Sequence, residues 1–471
     1  MKSANTTFSS IVELNEATLG LFHLKTMLTA GLGFFSAAYD LFIIGYALAL
    51  IRQEWHLDAF MMGLIGSISL IAVLFGAYFF GRIADIYGRR KIYGVEALLM
   101  VLGALGSACA NDITTLIIFR FILGLGVGGD YPLSSVIMSE YANRANRGLL
   151  VGLTFSFQAL GVLIGPGIAL ALLAAQIDHD LAWRIMLGLG ALPALGAYWM
   201  RRGMPESPRW LHRARPVTPQ QNEVNAASPK PLRHYWRYLL GTAGAWFAFD
   251  YAYYGNTIST PMIMHALAPQ GGLMANIAWS WIVFAIAAVP GYFLAALTLD
   301  RIGHRRLQWI GFLCMGMAFL TIGIIPDITG DFAVFMALYA VSYFFAEFGP
   351  NTTTFVLASE IYPAHLRSTA AGISAGTAKI GAFIGVFLFP VLLQAMGIEN
   401  TLLLTFVFSM LGLLLTLLLP EPARQSLELI AGEKNRLVHF TQQKPRIRYT
   451  HLRTRLGQAR PIMHTAEDAD R

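Results

Sequence analysis

Charge is scarce in this chain. Of its 471 residues only 13% are charged, against 56% hydrophobic, and the mean hydropathy is +0.55. A soluble globular chain carries about 25% charged residues, so a water-soluble domain is excluded. Cysteine is nearly absent. Cys109 and Cys314 fall in different apolar segments, without the spacing of a disulfide framework or a zinc site. Both read as small core residues. The first 20 residues lack a basic, apolar and cleavage-site pattern, so no signal peptide is expected. No hydrolase triad, nucleotide-binding loop or metal cluster occurs. The sequence therefore implies neither an enzyme nor a cofactor.

Long apolar runs are abundant. Segments 60–80, 92–110, 275–299 and 401–420 each reach the ~18–20 residues that cross a bilayer as a helix. Twelve spans are expected, at about 27–50, 60–80, 92–110, 113–141, 148–174, 183–200, 237–264, 275–299, 307–326, 333–361, 369–395 and 401–420. The 45 glycines suit membrane helices in close contact. The predicted fold is all-α, with the lipid bilayer as its surroundings.

Basic residues set the orientation. Of 34 Lys and Arg, 30 fall at the chain ends and in even-numbered loops, while the opposite loops hold only Arg52. Arg120, Arg184 and Lys379 lie within spans. This split predicts cytoplasmic termini and a multi-pass protein of the plasma or inner membrane. It also explains the net charge of +7 without a nucleic-acid partner.

The basic loops repeat. Gly81-Arg-Ile-Ala-Asp85-Ile-Tyr-Gly88-Arg89-Arg90-Lys91 is matched by Asp300-Arg-Ile-Gly303-His-Arg305-Arg306, an offset of 215. Ser139-Glu140 with Arg147 is matched by Ser359-Glu360 with Arg367, an offset of 220. Pro205-Glu206 is matched by Pro420-Glu421, again at 215. Three matches near one offset indicate a duplicated six-span unit. The predicted organisation is an N-terminal half over 1–200, a cytoplasmic linker over 201–236, a C-terminal half over 237–431 and a basic tail over 432–471. The linker, rich in Pro, Gln, Asn, Ala and Ser, reads as a tether. The tail carries Arg446, Arg448, Arg453 and Arg455 and reads as solvated chain. Two halves about an axis along the membrane normal suit alternating access, with the substrate between them.

The loop over 81–91 resembles the signature of the major facilitator superfamily, and Arg120-x-x-x-Gly124 and Gly161-x-x-x-Gly165-Pro166 resemble its companion motifs. That resemblance implies a gating latch of Asp85, Arg89, Glu140 and Arg147.

Charges at helix centres are costly and mark function. Asp40, Glu96, Asp130, Asp250 and Glu347 lie within spans, against Arg120 and Lys379 as deep bases. Five acids and two bases cannot all stay ionised in a low dielectric, so some must bind and release protons. Asp40, Asp130, Asp250 and Glu347 fall at mid-depth on spans 1, 4, 7 and 10, the first helices of the four three-helix repeats. Glu96 lies nearer the cytoplasmic end, where a latch, a snorkelling acid and a proton carrier all fit. Gln158, Asn351 and Lys379 reach similar depth. Trp246, Asp250 and Tyr254 recur every four residues and share one helix face.

The segment Gly128-Gly-Asp130-Tyr131-Pro-Leu-Ser-Ser resembles the signature of the phosphate:proton symporter family. Gly33-Phe-Phe-Ser-Ala37-Ala-Tyr39-Asp40, Trp246-Phe-Ala-Phe-Asp250, Phe348-Gly-Pro350-Asn351 and Lys379-Ile-Gly extend the likeness across the spans. It implies that Tyr131, Gln158, Trp246, Asp250, Tyr254 and Asn351 contact phosphate. Lys379 would lie near the site, and Asp40 and Asp130 would couple protons. Two positions depart from the family. Ala37 stands where an Asp is usual, and Glu347 where an Asn is usual, so Glu347 joins Asp40, Asp130 and Glu96 as a proton-coupling candidate. The chemistry agrees: Tyr, Trp, Gln and Asn supply donors, and Asp250 accepts from a protonated phosphate oxygen. The expected activity is proton-coupled phosphate import by a monomer. A phosphate ester, a small organic acid, or a nutrient sensor on the same fold remain alternatives.

Overall fold

The computed structural model describes residues 11–214, 230–268, 272–326 and 328–431. The Pro/Ser-rich stretch of the linker and the basic tail from 432 lie outside them. All regular structure among the described residues is helical, as a bilayer demands of a chain whose backbone groups must bond within their own segment.

The first six spans are Leu21–Trp55, Ala59–Tyr87, Arg89–Ala108, Ile113–Tyr141, Arg147–Ala174 and His179–Arg202. Span 7 is Trp236–Leu267, followed by Met274–Ile302, His304–Ile324 and Phe332–Glu360. Spans 11 and 12 form the stretch Arg367–Thr416, broken at Gly397, where the backbone turns out of the helical region at φ 78°. The twelve expected spans are all present, most with longer ends. Span 6 runs on to Arg202. Arg201, read from sequence as a linker residue, is therefore the last turn of a helix and is buried.

Helix starts alternate between two solutions. On one face, Asp58, Asp112, Asp178 and Asp331 cap spans 2, 4, 6 and 10 with their own side chains. On the other, the basic face that carries the repeated loops, the caps come from elsewhere in the chain. Asp85 accepts from Ser368 and Thr369 N–H at 3.3 and 2.7 Å, capping span 11. Asp300 accepts from Gly148 and Leu149 N–H at 3.1 and 2.7 Å, capping span 5. Glu206 caps span 3 through Arg89 and Arg90 N–H, and Glu421 caps span 9 through His304 and Arg305 N–H. The sequence repeat is thus a repeat of capping contacts. Gly88 and Gly303 turn the chain into them at φ 101° and 100°, a region that side chains with a Cβ rarely adopt.

The halves meet along matched helix pairs. Spans 2 and 11 touch backbone to backbone, and a Cβ on Gly372 would fall on the Ala77 carbonyl. Spans 5 and 8 do likewise: Gly152 packs on Ala296, and Ser156 Oγ donates to the Tyr292 carbonyl at 3.2 Å. Between spans 4 and 10, Ser139 Oγ donates to the Ser359 carbonyl at 3.2 Å. Within the N-terminal half, Gly124 lets span 4 lie on Ser69 and Ala72 of span 2.

These two kinds of contact predict different phenotypes. Gly124→Val overpacks a crossing inside one half and is expected to cost about 1–3 kcal/mol of stability, read as a lowered melting temperature in detergent. Gly372→Val overpacks a contact that separating the halves relieves. Its melt is expected to change less, while a cysteine at Ser139, in a chain lacking Cys109 and Cys314, becomes faster to alkylate. Equal melting losses with unchanged labelling would contradict this division.

Candidate substrate and proton-coupling site

Span 7 places Trp246, Asp250 and Tyr254 on one face toward the molecular axis, and span 11 brings Lys379 against them. Lys379 Nζ lies 2.6 Å from Asp250 Oδ2 and donates to the Tyr254 hydroxyl at 2.9 Å. The same ammonium stands 4.0 Å from the Tyr254 ring and 5.2 Å from that of Tyr131, within cation–π range. Trp246 faces the Asp250 carboxyl, and Tyr131 faces Tyr254 and Gln158. All are buried.

A second set of donors adjoins this one. Asn351 Nδ2 donates to Tyr292 OH at 2.8 Å and to Glu347 Oε2 at 2.6 Å. Tyr292 OH donates in turn to Gln158 Oε1 at 3.0 Å. The chain Glu347–Asn351–Tyr292–Gln158 thus crosses from the C-terminal to the N-terminal half. Its geometry depends on a π-turn over Glu347–Asn351. Pro350 has no N–H and crowds the preceding turn, and the helix widens there, as it often does at functional sites. Sequence spacing placed Glu347 and Asn351 on one face. It gave no sign of the π-turn or of Tyr292, which stands in an apolar run.

Aromatic rings close the polar centre on both sides. Phe355 packs on Trp246, Tyr131 and Phe155, at centroid distances of 4.3, 5.2 and 4.3 Å, and Phe34 adds a fourth ring. These lie on the side of the basic face. Opposite them, Phe42 stacks on Tyr254 at 5.4 Å. Phe34, Phe42, Phe155 and Phe355 carry no mark in the sequence, because a phenylalanine in an apolar span looks like any core residue.

The proton-coupling candidates divide into three places. Asp40 is buried beside Ser36 and Arg120, and its backbone carbonyl accepts from Arg120 Nη2 at 2.8 Å. Glu347 has Asn351, Tyr253 and Tyr292 as polar neighbours. Asp130 and Glu96 come together on Arg201: Nη1 lies 2.9 Å from Glu96 Oε1, and Nη2 pairs with Asp130 Oδ1. Ser134 Oγ donates to the same Asp130 oxygen at 2.7 Å. Arg184, by contrast, pairs with Asp180 at 2.7 Å and the carbonyls of Ala108 and Ala110, away from this centre.

The four latch candidates fall into two related clusters on the basic face. Arg89 bridges Asp85 at 2.9 Å and Glu140 at 3.1 Å, and Arg367 reaches Glu140 from the other half at 3.0 Å. Arg147 pairs with Glu360 across the halves at 3.2 Å, and His304 lies 3.3 Å from the same carboxylate. Arg367, Glu360 and His304 belong to this set, and the repeat offsets pointed to all three positions. His304 occupies the position equivalent to Arg89.

A third clamp crosses the face. Arg209 donates to Glu428 at 3.0 Å, to Asn15 at 2.7 Å and to the Glu140 carbonyl. Burial pushes the Glu428 carboxyl up, but the adjacent Arg209 guanidinium outweighs it and holds the carboxyl down at about 2. A carboxyl lowered on folding stabilises the fold above its ordinary pKa of about 4.3 and loses that contribution only as pH falls through the lowered value. The clamp therefore stays charged at physiological pH.

The architecture, twelve spans in two related halves around a buried polar centre, is that of a secondary transporter. The Major Facilitator Superfamily profile matches residues 30–379 and 247–459. Among solved structures, that of the proton:xylose symporter XylE bound to 6-bromo-6-deoxy-D-glucose aligns with a TM-score of 0.74, at 20% identity over 88% of this chain and 99% of that one. Among curated relatives, a probable inorganic phosphate transporter 1-3 of Arabidopsis thaliana is 33% identical, over 89% of this chain and 97% of that protein. Inorganic phosphate transporter 1-6 of Oryza sativa subsp. japonica is 32% identical over 89% and 94%. The chain belongs to the Major Facilitator Superfamily, among its phosphate-transporter relatives.

The capping contacts predict paired phenotypes. Asp85→Asn and Asp300→Asn each weaken charge-assisted bonds, worth about 1.5–3 kcal/mol, on related faces of the closure. Each is expected to speed alkylation of the Ser139→Cys reporter about 10-fold or more, and the double variant further. Unchanged labelling in both would remove these acids from the closure.

Proposed function

We propose that this protein imports inorganic phosphate with protons by alternating access across the plasma or inner membrane. Both chain ends would face the cytoplasm, and the single chain would be the working unit. The observation that carries the reading is the Asp250–Lys379–Tyr254 group beside the Gln158–Tyr292–Asn351 chain, buried between the halves. A small oxyanion needs one cation and several neutral donors, and this centre supplies both. The phosphate-transporter relatives point to the same substrate.

In the empty site, Asp250 neutralises Lys379. An arriving phosphate takes up the ammonium, and Asp250 turns to accept from a P–OH group. Sulfate brings no such proton, so its oxygens would meet a carboxylate without a hydrogen between them. The pair thus admits an anion and rejects its unprotonated analogue. Loss of the anion returns Lys379 to Asp250, so release leaves no lone cation behind.

Proton coupling follows from charge balance. Arg120, Arg201 and Lys379 serve the five deep acids, leaving two acids in excess, and two protons make the dry interior neutral. One excess acid is Glu347, which has only neutral polar neighbours. The other belongs to the Glu96 and Asp130 pair.

Labelled-phosphate uptake by proteoliposomes under an imposed proton gradient tests the reading. Arsenate is expected to compete well and sulfate poorly. Asp250→Asn frees Lys379 and turns the ionised acceptor into a neutral amide, so phosphate-over-sulfate selectivity should fall roughly 10- to 150-fold, the equivalent of one charge-assisted hydrogen bond. Uptake of a glycerophosphodiester or a carboxylate in place of phosphate would defeat the substrate assignment.

A second expectation concerns the gradient. Asp130→Asn should insert and fold but fail to accumulate phosphate against a gradient. Glu347→Gln should displace the pH dependence of uptake. Wild-type accumulation by the Asp130 variant would take that residue out of the coupling path.

A further inference from the structure

Arg201 is the penultimate residue of span 6, beside the basic face by sequence, yet its side chain is buried. It reaches inward between spans 1, 3 and 4. Nη1 meets Glu96 Oε1 at 2.9 Å, Nη2 meets Asp130 Oδ1, and Nη2 also lies 3.3 Å from Ser134 Oγ. The guanidinium rests 4.2 Å from the Tyr93 ring, and Tyr93 OH lies 3.0 Å from Ser134 Oγ. Both Glu96 oxygens also accept the Gly94 N–H, at 2.8 and 2.9 Å. Span 1 contributes Gly33, where any Cβ would collide with Arg201 Nη2 and Asp130. The titratable and charged groups facing the cluster are therefore Tyr93, Glu96, Asp130 and Arg201.

Two carboxylates share one guanidinium. Arginine does not release its proton in a protein, so the cluster carries one negative charge in excess, and a single added proton removes it. Geometry connects that proton to the substrate. Asp130 and Tyr131 are consecutive on a helix and point about 100° apart. Asp130 turns into its own half toward Arg201, while Tyr131 faces the other half, against Lys379 and Phe355.

We propose that Glu96, Arg201 and Asp130 form a one-proton coupling site in which Arg201 is the positioning residue. The proposal rests on the proton-coupled reading above and names the residue that makes it work. A proton from water on the entry side adds to one carboxylate oxygen. Arg201 then holds the carboxylate that remains charged. On the exit side the proton returns to water, and the guanidinium again bridges both acids. Arg201 thereby limits this cluster to one proton, apart from the one assigned to Glu347, and ties its loading to the packing of spans 1, 3, 4 and 6.

Two measurements on the purified full-length chain test this. Infrared difference titration reads protonated carboxyl groups with no substrate present. A titrating carboxyl signal is expected in the wild type. It should move by about one pH unit or more in Arg201→Lys and Arg201→Gln, and disappear in Glu96→Gln or Asp130→Asn. A signal that none of these changes moves would overturn the proposal. In proteoliposomes, labelled-phosphate exchange without a gradient is compared with accumulation under a proton gradient. Arg201→Gln is expected to lower accumulation about 10-fold more than exchange, and Arg201→Lys to restore accumulation with a displaced pH profile. Equal losses of both activities in both variants, with the wild-type pH profile retained, would assign Arg201 to packing alone and overturn the proposal. A wild type that shows the infrared signal but exchanges no phosphate would defeat the substrate reading while leaving the coupling site standing.

Discussion

A charge inside a bundle of membrane helices has no water to lower its energy, and its position follows from where a counter-charge can reach it. Lys379 is tolerated because Asp250 meets it. Asp130 and Glu96 sit at different depths on different helices, yet Arg201 is long enough to serve both. The same constraint shapes the basic face, where four helix starts would leave unpaired N–H groups. The carboxylates of Asp85, Asp300, Glu206 and Glu421 accept from them. The buried centre and the basic face are both arranged around this need to neutralise charge in dry surroundings.

The duplication is visible as chemistry. Asp85 does for span 11 what Asp300 does for span 5, and each acid belongs to the half opposite the helix it caps. Closure of the basic face is therefore reciprocal, with each half completing the hydrogen bonding of the other. The exchange is not fully symmetric, since His304 takes the place of Arg89. One half places a guanidinium at this position, the other an imidazole ring held between Asp300 and Glu360.

The sequence disclosed the span count, the duplicated loops and the deep acids, because each leaves a local mark: a long apolar run, a repeated spacing, or a charge where none is expected. Of the latch candidates, Asp85, Arg89 and Glu140 come together while Arg147 pairs with Glu360 in a second cluster, and Tyr131, Gln158, Trp246, Asp250, Tyr254, Asn351 and Lys379 lie around one buried centre. Arg201 was hidden by the rule that oriented the protein. An arginine next to a basic loop counts as a surface charge until the helix is seen to carry it inward. Tyr292 and Phe355 were hidden by composition, because aromatic residues in an apolar span look alike whether they face lipid or the centre. The π-turn escaped because it depends on how Pro350 is accommodated, and periodicity alone does not register that.

Pro350 and the widened turn have a mechanical consequence. A straight helix in span 10 would transmit any tilt at the basic face directly to the opposite face, like a lever on a fixed pivot. The π-turn interrupts the ladder of backbone bonds midway, between the segment Phe332–Ala346 and the segment Thr352–Glu360. It makes span 10 two short rods joined at the depth of the buried polar centre. With such a joint, the rod that carries Glu360 would tilt away from Arg147 with little torque on the other. One mouth of the protein is thereby able to open while its far end stays sealed.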